Sequence, residues 1–158
     1  MSYSWAAKGE RKVIPYENPE ERHVNALAVL VQSGFGSYLW WETQPRAFRS
    51  EDLLALVEAI PHPNGELVVV LDNAGMHRSH TVQDERPLLD QVGIRLLPLP
   101  AYSPELNAIE PWFGVVKHTE MPERTYQTVP DLLAAVNTAF ERTEARLLRS
   151  QQSLRSVA

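Results

Sequence analysis

The chain has 158 residues, 44% of them apolar and 22% charged, which predicts one globular domain over residues 1–158 and excludes the disordered and fibrous classes. Its formal net charge of −5 at pH 7 argues against a free-standing nucleic-acid-binding module, but it is compatible with a catalytic domain whose carboxylates hold metal cations. Because the sequence has no cysteine, no apolar run of membrane-spanning length and no apolar signal core, we expect a cytoplasmic protein without disulfides or a membrane partner.

The first predicted elements are two strands and a helix. Strands are predicted over residues 22–32 and 36–43, because a β-branched and aromatic run is interrupted by the glycine-containing turn QSGFG. Apolar residues at helical spacing predict a helix over residues 50–60. Ser50 is its expected N-cap and Pro61 its expected stop.

The middle of the chain has a strand, helix and strand pattern. The apolar run ELVVVL, residues 66–71, predicts a strand that is buried on both faces, as parallel strands are. A helical pattern follows over residues 79–92, in which Pro87 must kink or divide the helix and Gly93 closes it. The sequence IRLLPL, residues 94–99, predicts the next strand.

Two helices complete the predicted order. One covers residues 108–118, the other starts near Pro130, and the polar tail from Ser150 is expected to fray. The order β-β-α-β-α-β-α-α predicts an α/β domain in which at least some strands are parallel and covered by helices.

Asp72 is the first candidate functional residue, because it directly follows the ELVVVL strand in the sequence LDNAGMHRSH. In open α/β sheets, binding sites lie at the carboxyl ends of the strands, where a rigid strand can fix a metal ligand. The alternative is that DNAG is only a turn, since Asp, Asn and Gly are typical turn residues.

Glu110 is the second candidate acid, at the start of a predicted helix. Asn107 and Glu110 have the spacing of a capping box, in which Asn107 accepts from the backbone N–H of Glu110 and the Glu110 side chain reaches back. Glu110 could therefore be only a cap. The strand IRLLPL, however, leads this helix start towards the strand end that carries Asp72. Two converging carboxylates favour a site for Mg²⁺ or Mn²⁺.

Two histidines and a lysine accompany these acids. His77 and His80 have a spacing of three residues, but no third His or Cys cluster supports zinc. One of them could contact a phosphate or hold Asp72 in place, or be a surface histidine without a role. Lys117 follows Glu110 by two helical turns, where it could contact a phosphate or simply lie near a helix C-terminus.

The segments VVVLDNAGMHRSH and IRLLPLPAYSPELNAIEPWFGVVK together resemble the catalytic domain of DDE transposases of bacterial insertion sequences, the mariner-like superfamily. The second segment is the more specific, because it combines a strand with Pro-x-Tyr-Ser-Pro-Glu-Leu-Asn, an Ile-Glu pair and downstream Trp and Lys. The segments SWAAKGERKVIP, RHVNALAVL and RSEDLLALVEAI fit the same family, so the resemblance covers most of residues 4–145.

The resemblance implies a fold, a reaction and a set of site residues. The fold would be an RNase H-like mixed sheet flanked by helices. The site would hold two Mg²⁺ or Mn²⁺ ions between three acids and use them for cleavage and strand transfer of DNA at transposon ends. Asp72 matches the second acid of the family and Glu110 the third. Four further residues match motif positions with DNA-binding or supporting roles: Asn73, His77, Asn107 and Lys117.

The sequence departs from the family at its beginning. The family's first acid lies on its first strand, upstream of the Trp and Lys-Gly segment that occupies residues 5–9 here. The only acids close to this segment lie in polar sequence without a strand to present them: Glu10, Glu17, Glu20 and Glu21. We therefore expect an N-terminally truncated transposase domain that lacks the family's central first strand, its first acid and its helix-turn-helix region.

A missing central strand would leave backbone groups of two interior strands unpaired. The chain could pair its strands differently, use its own segment RKVIPY, residues 11–16, or associate with another copy or with an upstream transposase polypeptide. Because only two acids are found, we expect little or no DNA cleavage by this chain alone. The alternatives are a non-catalytic RNase H-like interaction or regulatory module, oligomeric in form, and a general metal-dependent nuclease of the same fold.

Overall fold

The computed structural model describes residues 23–33, 36–62, 65–100, 103–121 and 126–155. In chain order its elements are β1 (Asn25–Ser33), β2 (Gly36–Gln44), α1 (Ser50–Glu58), β3 (Leu67–Leu71), a 3₁₀ helix (Gly75–Arg78), α2 (His80–Gln91), β4 (Ile94–Pro98), a second 3₁₀ helix (Pro104–Leu106), α3 (Glu110–Val115), a π turn (Val116–Glu120) and α4 (Val129–Arg155). The predicted order of strands and helices is confirmed, and the chain is a mixed α/β protein.

Strands β1 and β2 form an antiparallel pair whose register runs from Asn25 opposite Gln44 to Ser33 opposite Gly36. Helix α4 covers one face of this pair. The Trp41 ring stacks on Phe140 of the helix with ring centroids 5.4 Å apart. This packing forms one of two clusters of buried apolar side chains, called here the second core cluster. Its buried members are Leu39, Val116, Ala139, Phe140 and Leu147.

Strands β3 and β4 form a parallel pair, with Leu67 opposite Ile94 and Leu71 opposite Pro98. Helices α1 and α2 pack against one face of it. This packing defines the first core cluster, whose buried members are Leu53, Leu54, Val57, Val69, Leu71, Val82, Leu89, Ile94 and Leu96. The parallel strands covered by helices are thus confirmed for this pair.

The other face of β3 is open, so the prediction that this strand is buried on both faces is wrong. Val69 and Leu71 are 3% and 5% exposed, whereas Val68 and Val70 between them are 50% and 48% exposed. Leu97, which lies opposite Val70, is 52% exposed. The physical reason is that α1 and α2 cover one face only, and the described residues leave the side chains of the second face about half exposed.

Helix α1 begins at Ser50, but Ser50 is not its N-cap. Arg49 takes that position, and the Asp52 carboxylate accepts a hydrogen bond from the Arg49 N–H at 2.8 Å. The Ser50 side chain is buried and its hydroxyl donates to the carbonyl oxygen of Met76 instead. The helix ends at Glu58, two residues before the predicted end.

Helix α2 remains one helix although Pro87 lies inside it, so of the two expected effects, a kink or a division, the division does not occur. Val82 and Leu89 on either side of the proline are 0% and 2% exposed, and their burial offsets the missing hydrogen bond. Gly93 closes the helix as predicted, with φ of +87°. A Cβ atom there would lie 3.1 Å from the carbonyl oxygen of Gly65, so both the backbone and the space favour glycine.

The helix predicted over residues 108–118 consists of a short α-helix and a π turn. Helix α3 has six residues and passes directly into the turn Val116–Glu120. The N–H of Met121 donates to the carbonyl of Val116, five residues earlier, at 3.0 Å. Such wide turns are uncommon and are frequent at functional sites.

Helix α4 starts at Val129, close to the predicted start, but its end corrects the sequence-based expectation. The tail that was expected to fray from Ser150 remains helical to Arg155. Gln151 explains the difference, because its side chain accepts from the N–H of Ser37 at 3.0 Å and donates to the carbonyl of Ser37 at 2.8 Å. These two bonds attach the last turns of the helix to β2.

The two strand pairs are connected through β1. Leu27 packs against the first core cluster, while Ala26, Ala28 and Leu30 pack against the second. Each described strand nevertheless pairs with one neighbour only, so the structure contains two separate two-stranded sheets within the described residues. The RNase H-like sheet and its missing central strand therefore stay predictions. The described helices include none with the length and apolarity needed to cross a membrane.

Candidate functional site

Asp72 follows the last residue of β3, at the carboxyl end of the parallel pair. Its Oδ1 atom accepts a hydrogen bond from the N–H of Ala74 at 2.9 Å, which is the geometry of an Asx turn. The same oxygen lies 2.8 Å from Nδ1 of His77. The side chain is 48% exposed, and within the described residues its Oδ2 atom has no hydrogen-bond partner. One carboxylate oxygen is thus fixed, while the other makes no hydrogen bond to the described residues.

His77 lies in the 3₁₀ helix after β3 and is largely buried, with 11% of its side chain exposed. Its Nδ1 atom contacts the Asp72 carboxylate and, at 3.1 Å, the Asp72 carbonyl oxygen. Because both neighbours are acceptors, Nδ1 carries the proton and donates. The Nε2 atom is buried and has no partner among the described groups. His77 therefore holds Asp72 through both its side chain and its backbone.

Asn73 extends the pairing of β3 and β4 beyond the ends of the strands. Its Nδ2 atom donates to the carbonyl of Leu99 at 3.0 Å and to that of Pro100 at 3.1 Å. The N–H of Leu99 in turn donates to the carbonyl of Leu71 at 2.7 Å. The residue next to Asp72 is consequently attached to the start of the segment that leads to Glu110.

Two serines, Ser50 and Ser79, bond to each other and to the 3₁₀ helix Gly75–Arg78. The sequence motifs did not indicate this contact. The Ser50 hydroxyl donates to the Met76 carbonyl at 3.2 Å, and the Oγ atoms of Ser50 and Ser79 lie 2.7 Å apart. Ser79 is the N-cap of α2, since its Oγ accepts from the N–H of Val82 at 3.2 Å. This chain of bonds connects α1 with the segment that carries His77. No periodic signal identifies such a contact, because its partners are 29 residues apart.

Glu110 is the first residue of α3 and is exposed. The predicted capping box is wrong in its details. The N–H of Glu110 donates to the backbone carbonyl of Asn107 at 3.1 Å, not to its side chain. The Asn107 side chain instead donates from Nδ2 to Oε1 of Glu110 over 3.5 Å, a long bond. The backbone makes a tight turn here, which leaves the side-chain amide free to orient the carboxylate.

Lys117 lies in the π turn and is exposed. Its Nζ atom is 6.0 Å from the centroid of the Phe113 ring, at the outer limit of a cation–π contact. The amine is therefore held loosely along the helix and remains accessible. His80 is the first residue of α2 and is exposed as well.

The structure joins the candidate residues in two local groups. Asp72 contacts His77, and Asn107 contacts Glu110, while no hydrogen bond connects the two groups within the described residues. Asp72 and Glu110 both offer exposed carboxylate oxygens, the ligand type that Mg²⁺ and Mn²⁺ prefer. Among the described residues, no three His, Cys, Asp or Glu side chains lie where they could hold one metal ion together.

The predictions for the beginning of the chain lie outside the described residues. They concern the Trp and Lys-Gly segment at residues 5–9, the segment RKVIPY at residues 11–16, and the acids Glu10, Glu17, Glu20 and Glu21. The turn between β1 and β2, at residues 34–35, also lies outside.

The family described as DDE superfamily endonuclease matches residues 1–133, which include β1 to β4, α1 to α3 and the first residues of α4. No curated protein matches the sequence, and no solved structure matches it. Because the family match covers most of the chain, with Asp72 and Glu110 inside it, the protein belongs to the DDE superfamily endonucleases.

Proposed function

We propose that the protein is the catalytic domain of a transposase of the insertion-sequence type and that its reaction is the cleavage and strand transfer of transposon-end DNA. Membership of the DDE superfamily endonucleases indicates nuclease or transposase activity in general, with DNA as the substrate. The observation that carries the proposal is the half-exposed Asp72 carboxylate, fixed by Ala74 and His77 through one oxygen and without a hydrogen-bond partner among the described residues at the other. This is how a rigid metal ligand at a strand end is presented.

Asp72 and Glu110 would hold a divalent cation, Mg²⁺ or Mn²⁺. Both are exposed carboxylates, and within the described ranges neither has a basic side chain as an ion-pair partner apart from the neighbouring His77. A bound cation supplies Lewis-acid activation of water or a DNA 3′-hydroxyl and charge stabilisation at the phosphodiester. Two carboxylates bind such an ion weakly, because Mg²⁺ keeps most of its water when protein ligands are few.

The remaining motif residues have supporting parts in this proposal. His77 keeps the Asp72 carboxylate in one orientation. Asn107 directs Glu110 through its long contact with Oε1. Lys117, exposed in the π turn, is available to a DNA phosphate.

The direct test measures metal binding and DNA cleavage in one set of proteins. Mn²⁺ binding is followed by the relaxation of water protons, and cleavage by the nicking of supercoiled plasmid with Mg²⁺ or Mn²⁺. We expect weak Mn²⁺ binding that falls at least about tenfold in Asp72→Asn and in Glu110→Gln. Glu105→Gln is the matched control, because Glu105 is an exposed acid in the 3₁₀ helix before the site. Equal Mn²⁺ binding in all four proteins would contradict the proposed ligands.

Plasmid nicking decides whether the two acids suffice. We expect little or no nicking by this chain alone, because within the described residues no third carboxylate accompanies them. Efficient Mg²⁺-dependent nicking that disappears in Asp72→Ala would show that this chain alone has a complete nuclease site. It would also favour a general metal-dependent nuclease if no strand transfer accompanied it.

We also propose that a further strand completes the sheet in the functional state. The supporting observations are the two separate strand pairs and the exposed side chains of Val68, Val70 and Leu97. Unpaired strand edges and bare apolar faces favour association with another strand. Its source is the chain's own segment 11–16, a second copy or an upstream transposase polypeptide. Light scattering distinguishes a second copy, and deletion of residues 1–16 that leaves the melting temperature unchanged would exclude the chain's own segment.

A non-catalytic interaction or regulatory module is the alternative function. The observation that favours it is the lack of a third metal-binding side chain near Asp72 and Glu110 among the described residues. In that case Asp72→Asn and Glu110→Gln would leave DNA binding and oligomeric state unchanged, and the protein would show no Mn²⁺ dependence in either property.

A further inference from the structure

We infer that Asn73 is a positioning residue that fastens Leu99 and Pro100, the start of the Glu110 segment, beside Asp72. The inference rests on the proposed function for its catalytic meaning, but its structural part stands on the hydrogen bonds alone. Both N–H bonds of the Asn73 amide are used by backbone carbonyls, those of Leu99 and Pro100, at 3.0 and 3.1 Å.

The amide of Asn73 takes the place of the next ladder bonds between β3 and β4. The regular pairing ends at Leu71 and Pro98, and the Leu99 N–H continues it to the Leu71 carbonyl at 2.7 Å. Beyond that point the backbone segments that follow β3 and β4 are no longer paired in the regular ladder. Asn73 bridges them with one side chain, which satisfies two carbonyls that the strand ladder no longer reaches.

This bridge determines the direction of the chain towards the second acid. Asp72 is adjacent to Asn73 in sequence, and Pro100 precedes Glu110 by ten residues. With the bridge in place, Asp72 and the start of the segment that leads to Glu110 are held at the same end of the strand pair. Without it, Asp72 stays fixed by Ala74 and His77, whereas the start of the Glu110 segment can move away from β3.

The substitution Asn73→Asp separates positioning from electrostatics. It keeps the shape of the side chain but replaces the donating amide by a carboxylate, which repels the two carbonyls. It also adds a negative charge beside Asp72. If Asn73 has no positioning role, the added charge should tighten the binding of Mn²⁺. If Asn73 fastens the segment, Mn²⁺ binding should weaken by about tenfold in spite of the charge.

Hydrogen exchange supplies a readout that does not depend on the metal. In Asn73→Asp we expect the Leu99 amide to exchange at least about tenfold faster, while the amides of Val69 and Leu97 inside the ladder keep their protection. Asn107→Asp is the matched control, because it adds the same charge next to Glu110 without touching the β3–β4 pair. It should leave the exchange of Leu99 unchanged.

The outcomes distinguish the inference from the proposed function. If the unsubstituted protein binds no Mn²⁺, the proposed metal site fails, and the exchange of Leu99 still decides whether Asn73 fastens the segment. Unchanged protection of Leu99 in Asn73→Asp overturns the inference. If the unsubstituted protein does bind Mn²⁺, tighter Mn²⁺ binding by Asn73→Asp overturns the inference as well.

Discussion

The imidazole of His77 donates from Nδ1 to Oδ1 of Asp72 over 2.8 Å, and the same nitrogen lies 3.1 Å from the Asp72 carbonyl oxygen. A buried ring therefore holds an exposed carboxylate at the end of a strand. The contact needs only a donor at the Nδ1 position, because Nε2 has no partner within the described part of the chain. Two substitutions can test whether the His77 ring acts on Asp72 only through the donor at Nδ1.

We predict that His77→Ala weakens Mn²⁺ binding by about tenfold, the usual effect of removing a group that orients a metal ligand. His77→Asn should restore most of the affinity, because its side-chain amide can place a donor where Nδ1 lies. The comparison is valid only for folded proteins, so melting temperatures of both variants are measured alongside. Equal loss of affinity in the two variants would mean that the ring itself, and not its donor, is required.

The two faces of β3 provide a second prediction, on stability. Val69→Ala should lower the free energy of unfolding by about 2 kcal/mol, because Val69 is 3% exposed inside the first core cluster. Val70→Ala removes the same atoms from a side chain that is 48% exposed, and should cost under about 0.5 kcal/mol. Urea unfolding measures both. A cost for Val70 close to that for Val69 would show that the open face is covered in solution, as a completing strand would require.

The order of the elements was predictable because it depends on local periodicity. β1 and β2 follow from a β-branched and aromatic run that glycines interrupt, and Gly93 ends α2 because its φ is positive. The open face of β3 was not predictable from ELVVVL. A continuous apolar run shows which side chains could be buried, but the partner that buries them lies elsewhere in the chain.

The candidate site stays a prediction as a set of residues, and the contacts of those residues were not predictable from the sequence. Asp72 and Glu110 follow from their positions after a strand and before a helix. The Ser50 hydroxyl was expected to cap its own helix, and it instead bonds to the segment that carries His77. Serine can do either, and the choice depends on tertiary packing that spacing does not reveal.

Asn137 of α4 offers a prediction about the second core cluster. Its Oδ1 accepts from Nε1 of Trp41 at 3.2 Å and from Oγ1 of Thr43 at 3.0 Å, and its Nδ2 donates to the Leu133 carbonyl at 3.1 Å. Asn137→Ala should lower the free energy of unfolding by about 1–3 kcal/mol, because two part-buried donors lose their acceptor.

A double-mutant cycle isolates the hydrogen bond from Thr43 to Asn137. Thr43→Val keeps the shape of the side chain and removes its donor, so it should cost about 1 kcal/mol in the original protein. In the Asn137→Ala background the same substitution should cost less, since the acceptor is already gone. Identical costs in the two backgrounds would show that the Thr43 contact does not contribute to stability.

The last prediction concerns acid. The Arg46 guanidinium makes two bonds of 2.7 Å to Asp52, and with the Arg49 N–H it lowers the pKa of the Asp52 carboxyl well below its usual range. A group whose pKa is lower in the folded state contributes stability above its unfolded pKa of about 3.9 and loses that contribution as pH falls below it. Asp52→Asn should therefore lower the melting temperature at pH 7 by about 2–4 °C, the size of one helix-capping interaction in a chain of this length, and by less at pH 3. Glu51 is an exposed acid without a hydrogen-bond partner among the described residues. The effect of Glu51→Gln on the melting temperature should therefore not become smaller between pH 7 and pH 3. A difference between Asp52→Asn and the original protein that is the same at both pH values would contradict the assignment of the low pKa to the Arg46 contact.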